Sequence, residues 1–349
     1  MKRLTDKKAK LRIMLQSLPV TLAAIVFIMY ASTFAPRSAG EMERSIALVE
    51  SVSYYQICAG GKPVVWFKSL GDSCTPEGMT LKADTAATTK RYATGCWVNR
   101  YPLFPSCPGL LLTANADSTA WENVAAANKD IRRTLAKAAK RIDGTINQLK
   151  RKIEETDYYM KVHNVNDDGY NIMAVLAEDI KRQKAEAEKL AATLKTAAES
   201  GQAEIRIVTR HTLICRSDTA DRPVRKPCVT LTKTMTSPVT LLQTADKRTT
   251  AGALPVYLHR WLTPPKTEGR SVIIASIPGC GQYGFTPDAA SPETFDGTTG
   301  CGSSHDLPPL LAPDGSAVFT KGGFFTGISI AGRITSTADF GFGLNKLQP

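Results

Sequence analysis

Eight cysteines, four histidines and a serine that follows an Asp-Gly pair are the residues of this chain best suited to chemistry. The cysteines, at 58, 74, 96, 107, 215, 228, 280 and 301, fall as four neighbouring couples. In an exported chain, disulfides are the default use of such thiols. Local pairing would join Cys58 to Cys74, Cys96 to Cys107, Cys215 to Cys228 and Cys280 to Cys301. A metal centre is not expected: there is no CxxC, and His163, His211, His259 and His305 do not stand at ligand spacing from the cysteines. Asn164, Asn166, Asp168 and Gly169 occupy the first, third, fifth and sixth positions of a calcium-loop pattern. Val175 stands where the bidentate acid belongs, so the segment reads as a turn. Ser303, Ser304, His305 and Asp306 are adjacent in "GSSHDL". Members of a catalytic triad meet through folding, not by adjacency, so this is a polar loop. No cofactor is expected.

The elements that would position these residues change character twice. Residues 36–117 are rich in short β-branched and aromatic runs, such as "KPVVWFKSL" and "GCWVNRY", separated by Gly, Pro and Ser. Residues 118–200 contain no proline and are dominated by Ala, Lys, Glu, Arg and Leu. There Ile131, Leu135, Ala138, Ile142, Leu149 and Ile153 recur at a spacing near 3.5. Met173, Leu176, Ile180, Ala187, Leu190, Leu194 and Ala197 repeat the pattern. "HNVNDDGYN" between them is a turn by composition, and the two helices are expected to form a long antiparallel coiled-coil hairpin. Residues 201–349 return to β patterning. Strands on both sides of one helical block predict a mainly β domain with a large helical insertion.

Residues 13–35 carry no charge and are long enough to span a bilayer core as a helix. Lys2, Arg3, Lys7, Lys8, Lys10 and Arg12, against Asp6, make residues 1–12 a basic tail of net +5 that would stay in the cytosol. The expectation is a transmembrane signal-anchor with the rest of the chain extracytoplasmic, periplasmic or extracellular. Pro36 directly after Ala35 argues against a cleaved signal peptide, which is the rival reading. The formal charge of +12 therefore leaves only +7 for the remainder. No basic stripe is interleaved with aromatics, so nucleic acid is not an expected partner.

"ATGCWVN" followed by "PGLLLTANA" resembles the first strand pair of trypsin/chymotrypsin-like serine proteases. "PVTLLQT" and then "LPVYL" resemble later strands of that family, and "PDGSAVFTKGGFFTGISI" resembles the segment that carries its nucleophile. The resemblance implies a double β-barrel. It places the family's histidine on Ala116, its aspartate on Pro238 and its serine on Asp314. An alanine shuttles no proton, a proline offers no carboxylate, and an aspartate would oppose a developing oxyanion. It therefore implies a pseudoprotease that binds or scaffolds a peptide or protein partner through its cleft and its helical hairpin. Two alternatives stand beside it. One is an active protease with Ser316 as a displaced nucleophile. The other is an envelope assembly protein built around the hairpin.

Overall fold

The computed structural model describes residues 18–27, 36–71, 74–83, 88–99, 108–115, 118–215, 223–231, 237–257, 269–336 and 340. In chain order these form α1 (residues 18–27), α2 (Ala39–Glu43), β1 (Ile46–Ala59), β2 (Lys62–Phe67), β3 (Ser69–Leu70), β4 (Pro76–Glu77), β5 (Thr89–Asn99) and β6 (Leu110–Ala114). Three helices follow, α3 (Ser118–Lys129), α4 (Ile131–Val162) and α5 (Tyr170–Glu199). The remainder is β7 (Ala203–Cys215), β8 (Val224–Thr230), β9 (Val239–Thr244), β10 (Val256–Tyr257), β11 (Ser271–Ser276), β12 (Glu293–Thr298), β13 (Ala317–Thr320), β14 (Phe325–Ile330) and β15 (Arg333–Ser336). The described residues form two compact units. One takes those up to 51 with 91–116 and 210–349, the other 52–90 and 117–209.

In the first unit, strands β5, β6, β9, β8, β7 and β1 are hydrogen-bonded in that order, and a β5–β1 pairing closes them into a six-stranded barrel. Their side chains alternate between two clusters, as the period of a strand requires. Val49, Trp97, Leu111, Leu213 and Leu242 come from five of the six strands and fill the barrel. Leu48, Val98, Leu110, Leu112 and Leu241 turn the other way, into a second cluster with Ala275, Ala317, Phe319 and Ile328. Those last residues belong to a five-stranded antiparallel sheet ordered β12-β11-β13-β14-β15.

In the second unit, β2 pairs with the end of β1 from Tyr55 to Ala59, and the Tyr55 and Phe67 rings stack at 5.1 Å. Ile57, Val65, Phe67, Ile205 and Ile207 bury one face of these strands against Val124 of α3, Leu135 and Ala138 of α4, and Leu194 of α5. The α3–α4 break falls at Asp130, whose carboxylate accepts the Arg133 N–H at 3.2 Å and caps α4. Asn128 ties α3 to β7, donating to the Ile205 carbonyl at 2.9 Å and accepting its N–H at 2.8 Å.

Three expectations are corrected. The double barrel is not found. Among the described residues only one sheet closes; in the other, single bridges join Thr299 to His305 and Ser304 to Arg333. The long two-helix coiled-coil hairpin is replaced by three helices laid on strands, because the stripe at Leu135, Ala138 and Leu194 meets strand residues as well as the facing helix. A membrane-spanning helix is also not found: among the described residues no helix is long and apolar enough to cross. Residues 18–27 are the described part of α1. The rest of residues 13–35 lies outside the described residues.

The disulfides are corrected as well. Cys58, Cys74, Cys96, Cys215, Cys228 and Cys280 are free thiols. Cys58 is buried in β1, whereas Cys74 sits in a turn at a φ of 55°; Cys215 and Cys228 share one cluster without being joined. Cys96 and Cys280 are buried among apolar side chains, and burial pushes both thiols up to about 12. Cys107 and the Cys301 side chain lie outside the described residues.

Candidate functional site

Three loops of the first unit meet beside β5 and β6. Strand β6 ends at Ala114, opposite Val239 of β9. Just beyond that rung the Asn115 N–H donates to the Pro238 carbonyl at 2.8 Å, and the Asn115 amide donates to the Ser237 carbonyl at 3.0 Å. The third loop is the turn before β13. There the Thr94 N–H donates to the Asp314 carbonyl at 3.2 Å. Gly315, at a φ of +89°, is pressed against β5 and β6. A Cβ on it would stand 1.9 Å from the Thr94 carbonyl oxygen and 3.2 Å from the Ala114 nitrogen. Only glycine fits both the conformation and the contact.

Ala116 itself lies outside the described residues; its neighbours Ala114 and Asn115 bring the chain to this place. Pro238 is exposed and offers only its carbonyl. Asp314 is exposed too, and its carboxylate accepts the Ala331 N–H at 2.7 Å, holding the turn between β14 and β15. Ser316 is fully buried, and its hydroxyl donates to the Pro313 carbonyl. A hydroxyl so placed has no proton acceptor that could raise its nucleophilicity, and no route to a substrate carbonyl.

Two serine–histidine pairs were not legible in the sequence. His211 Nδ1 and the Ser51 hydroxyl are 2.9 Å apart, and His305 Nε2 and the Ser329 hydroxyl 2.7 Å. The second pair adjoins the site, since the Gly315 N–H donates to the Ser329 carbonyl and the Ser329 N–H to the Ser316 carbonyl, both at 2.8 Å. Such a pair has the geometry of nucleophile and base, yet Ser329 has no exposed surface. Burial lowers the His305 pKa, against smaller opposing effects of Asp306 and of a backbone hydrogen bond at Leu307. Inside the fold the imidazole serves as the hydrogen-bond partner of Ser329. His163 bonds Asp167 in the α4–α5 turn at 3.2 Å, and His259 lies outside the described residues. Among the described residues no group of His, Cys, Asp and Glu could hold a metal.

The first unit also contains a cavity of about 400 Å³, away from these loops. Its walls include Leu48, Trp97, Ile214 and Ile277, with Glu43 and Arg44 among its polar residues. Arg44 Nε donates to the Gly252 carbonyl at 2.7 Å, and Glu43 accepts from Thr294 at 3.2 Å. Neither Pro238 nor Asp314 lines it.

No protein-family model and no curated protein matches the chain. Among solved structures it is similar to the crystal structure of the MamO protease domain from Magnetospirillum magneticum in its apo form. The identity is 14% over 36% of this chain and 68% of that one, with a TM-score of 0.24.

Proposed function

We propose that the first unit is a binding module of trypsin-like descent without peptidase chemistry. The observation that carries this reading is the trio of loops at Asn115, Pro238 and Gly315. They meet in the order in which the family-like segments occur, yet present a proline, a turn-holding carboxylate and a buried serine. A site with no proton shuttle and no accessible nucleophile can hold a chain without cutting it.

The ligand we assign to the module is an apolar side chain on a peptide or protein partner, held in the 400 Å³ cavity. The partly exposed lining residues Pro223, Ala253, Pro287, Ala290 and Pro292 would supply the apolar surface, while Arg44 and Glu43 would meet the partner's backbone or charged ends. The test has two arms. A fluorophosphonate probe should leave the protein unlabelled, and unfolded protein should stay intact in its presence. Peptides retained from an array should be lost when Ala253→Trp fills the cavity, with the melting temperature preserved. Labelling that disappears in Ser316→Ala would overturn the proposal, and so would retention unaffected by Ala253→Trp.

A further inference from the structure

The outer face of α4 is exposed along the length of the helix. Lys137, Arg141, Gly144, Gln148, Arg151, Glu155, Tyr158 and Val162 recur at intervals of three or four residues, and every one of them is exposed. They therefore form a single stripe, turned away from the buried stripe at Leu135, Ala138, Ile142, Ile146 and Leu149.

Three features of α4 and of its junction with α5 are unaccounted for within one chain. The first is apolar exposure. Every large exposed hydrophobic residue described in the helical unit falls between 158 and 176: Tyr158, Val162, Val165, Ile172, Val175 and Leu176. The ion pairs Asp157–Lys181 at 3.3 Å and Asp143–Lys195 at 3.4 Å set the register of α4 against α5. That register puts Val162 level with Leu176, so the residues gather at one end of the helix pair. Patches of this kind mark interaction surfaces.

The second feature is charge. Residues 131–152 of α4 carry eight cations and one carboxylate, whereas residues 153–185 carry seven carboxylates and four cations. The junction reads Lys150-Arg151-Lys152-Ile153-Glu154-Glu155, a block complementary to its own reverse. All five charged members are exposed, and none takes part in an ion pair among the described residues. The third feature is Gly144. It lies inside α4, exposed, with nothing within 4 Å of where its Cβ would be. A helical glycine costs about 1 kcal/mol relative to alanine, and no contact within the chain requires one.

We propose that α4 packs antiparallel against α4 of a second copy across a two-fold axis that passes between Arg151 and Glu155 on the outer face, level with Ile153. One register satisfies all three features. It sets Arg151 against Glu155 of the other copy, Gln148 against its Tyr158 and Gly144 against its Val162, each contact occurring twice by symmetry. Gly144 gives the apposed valine room to approach. The methylene stems of Lys137 and Lys140 cover the apolar end, with their charges beside its carboxylates. An anionic membrane is the poorer occupant, because the carboxylates around the apolar end would repel it.

Sedimentation velocity of the full chain at micromolar concentration, at low and high salt, tests this. The expected result is a dimer that weakens as salt is added. Gly144→Leu should weaken it about tenfold or more while making the helix itself more stable, so failure to fold is not an available explanation. Arg151→Glu and Glu155→Arg should each give monomers, and an equimolar mixture of the two should give a one-to-one heterodimer. A chain monomeric at all salt concentrations would overturn the proposal, as would a dimer indifferent to these substitutions. Binding to phosphatidylcholine or phosphatidylglycerol vesicles that is lost in Val162→Ser, with no dimer formed, would assign the surface to lipid and overturn it too.

Discussion

The turn at Gly315 is held by conformation and by close approach at once. Its φ of +89° and the 1.9 Å separation between a built Cβ and the Thr94 carbonyl oxygen act together. Backbone, not a flexible side chain, would have to yield. Gly315→Ala should cost about 2–4 kcal/mol in chemical denaturation; a loss near zero would show that the loop can step away from β5. His305 makes a prediction of a different kind. Burial lowers its pKa below the ordinary histidine value, so the unfolded chain takes up the proton first as pH falls. Stability is therefore fully present above about pH 6.5 and declines as pH drops through the folded pKa. His305→Gln should flatten that decline, measured by urea denaturation across this range. An unchanged slope would mean another group carries it. That Asn115, Pro238 and Gly315 stand at the ends of strands follows from the apolar runs beside them. What the side chains do there does not: Ser316 spends its hydroxyl on a carbonyl three residues back, and Ser329 finds its histidine 24 residues away. No spacing rule connects such partners.

At the scale of elements, α4 is held by its cap and by one buried stripe. Leu135 is fully buried in the cluster shared with Ile57, Val65 and Phe67. Leu135→Ala should cost about 2–5 kcal/mol, and Asp130→Ala about 1 kcal/mol through the lost cap. Both are read by thermal or urea denaturation, and a larger effect of the cap would mean the stripe is the lesser support. The periodicity at Leu135, Ala138 and Ile142 makes the helix and its buried face legible. It leaves open what that face meets, because an alternation such as that around Val65 fixes a strand without naming what lies opposite. The same limit applies to the sheets. Apolar runs at 93–99, 109–114 and 239–244 identify strands. Barrel closure depends on β1 meeting β5 across more than thirty residues of sequence, while the other sheet stops at five strands. Closure is a property of pairing, which composition does not encode. The cysteines mislead for a related reason. Thiols at 96 and 280 are used as small apolar side chains, a role that leaves the same trace in sequence as a future disulfide.

At the scale of the molecule, each unit has its own apolar core. Leu241 is fully buried in the cluster of β strands that includes Leu112 and Phe319. Leu194 is fully buried among the helices and the strands beneath them. Those two clusters have no residue in common, although β1 and β7 each contribute residues to both units. A core that buries its own apolar surface is the condition for a separate cooperative transition. Calorimetry of the full chain should resolve two transitions. Leu194→Ala should move one of them and Leu241→Ala the other, each by several degrees, as a loss of about 2–5 kcal/mol requires. The alternative is a single transition shifted by either substitution. That would mean the continuous strands transmit the loss of one core to the other, and the chain would then unfold as one body despite its two cores.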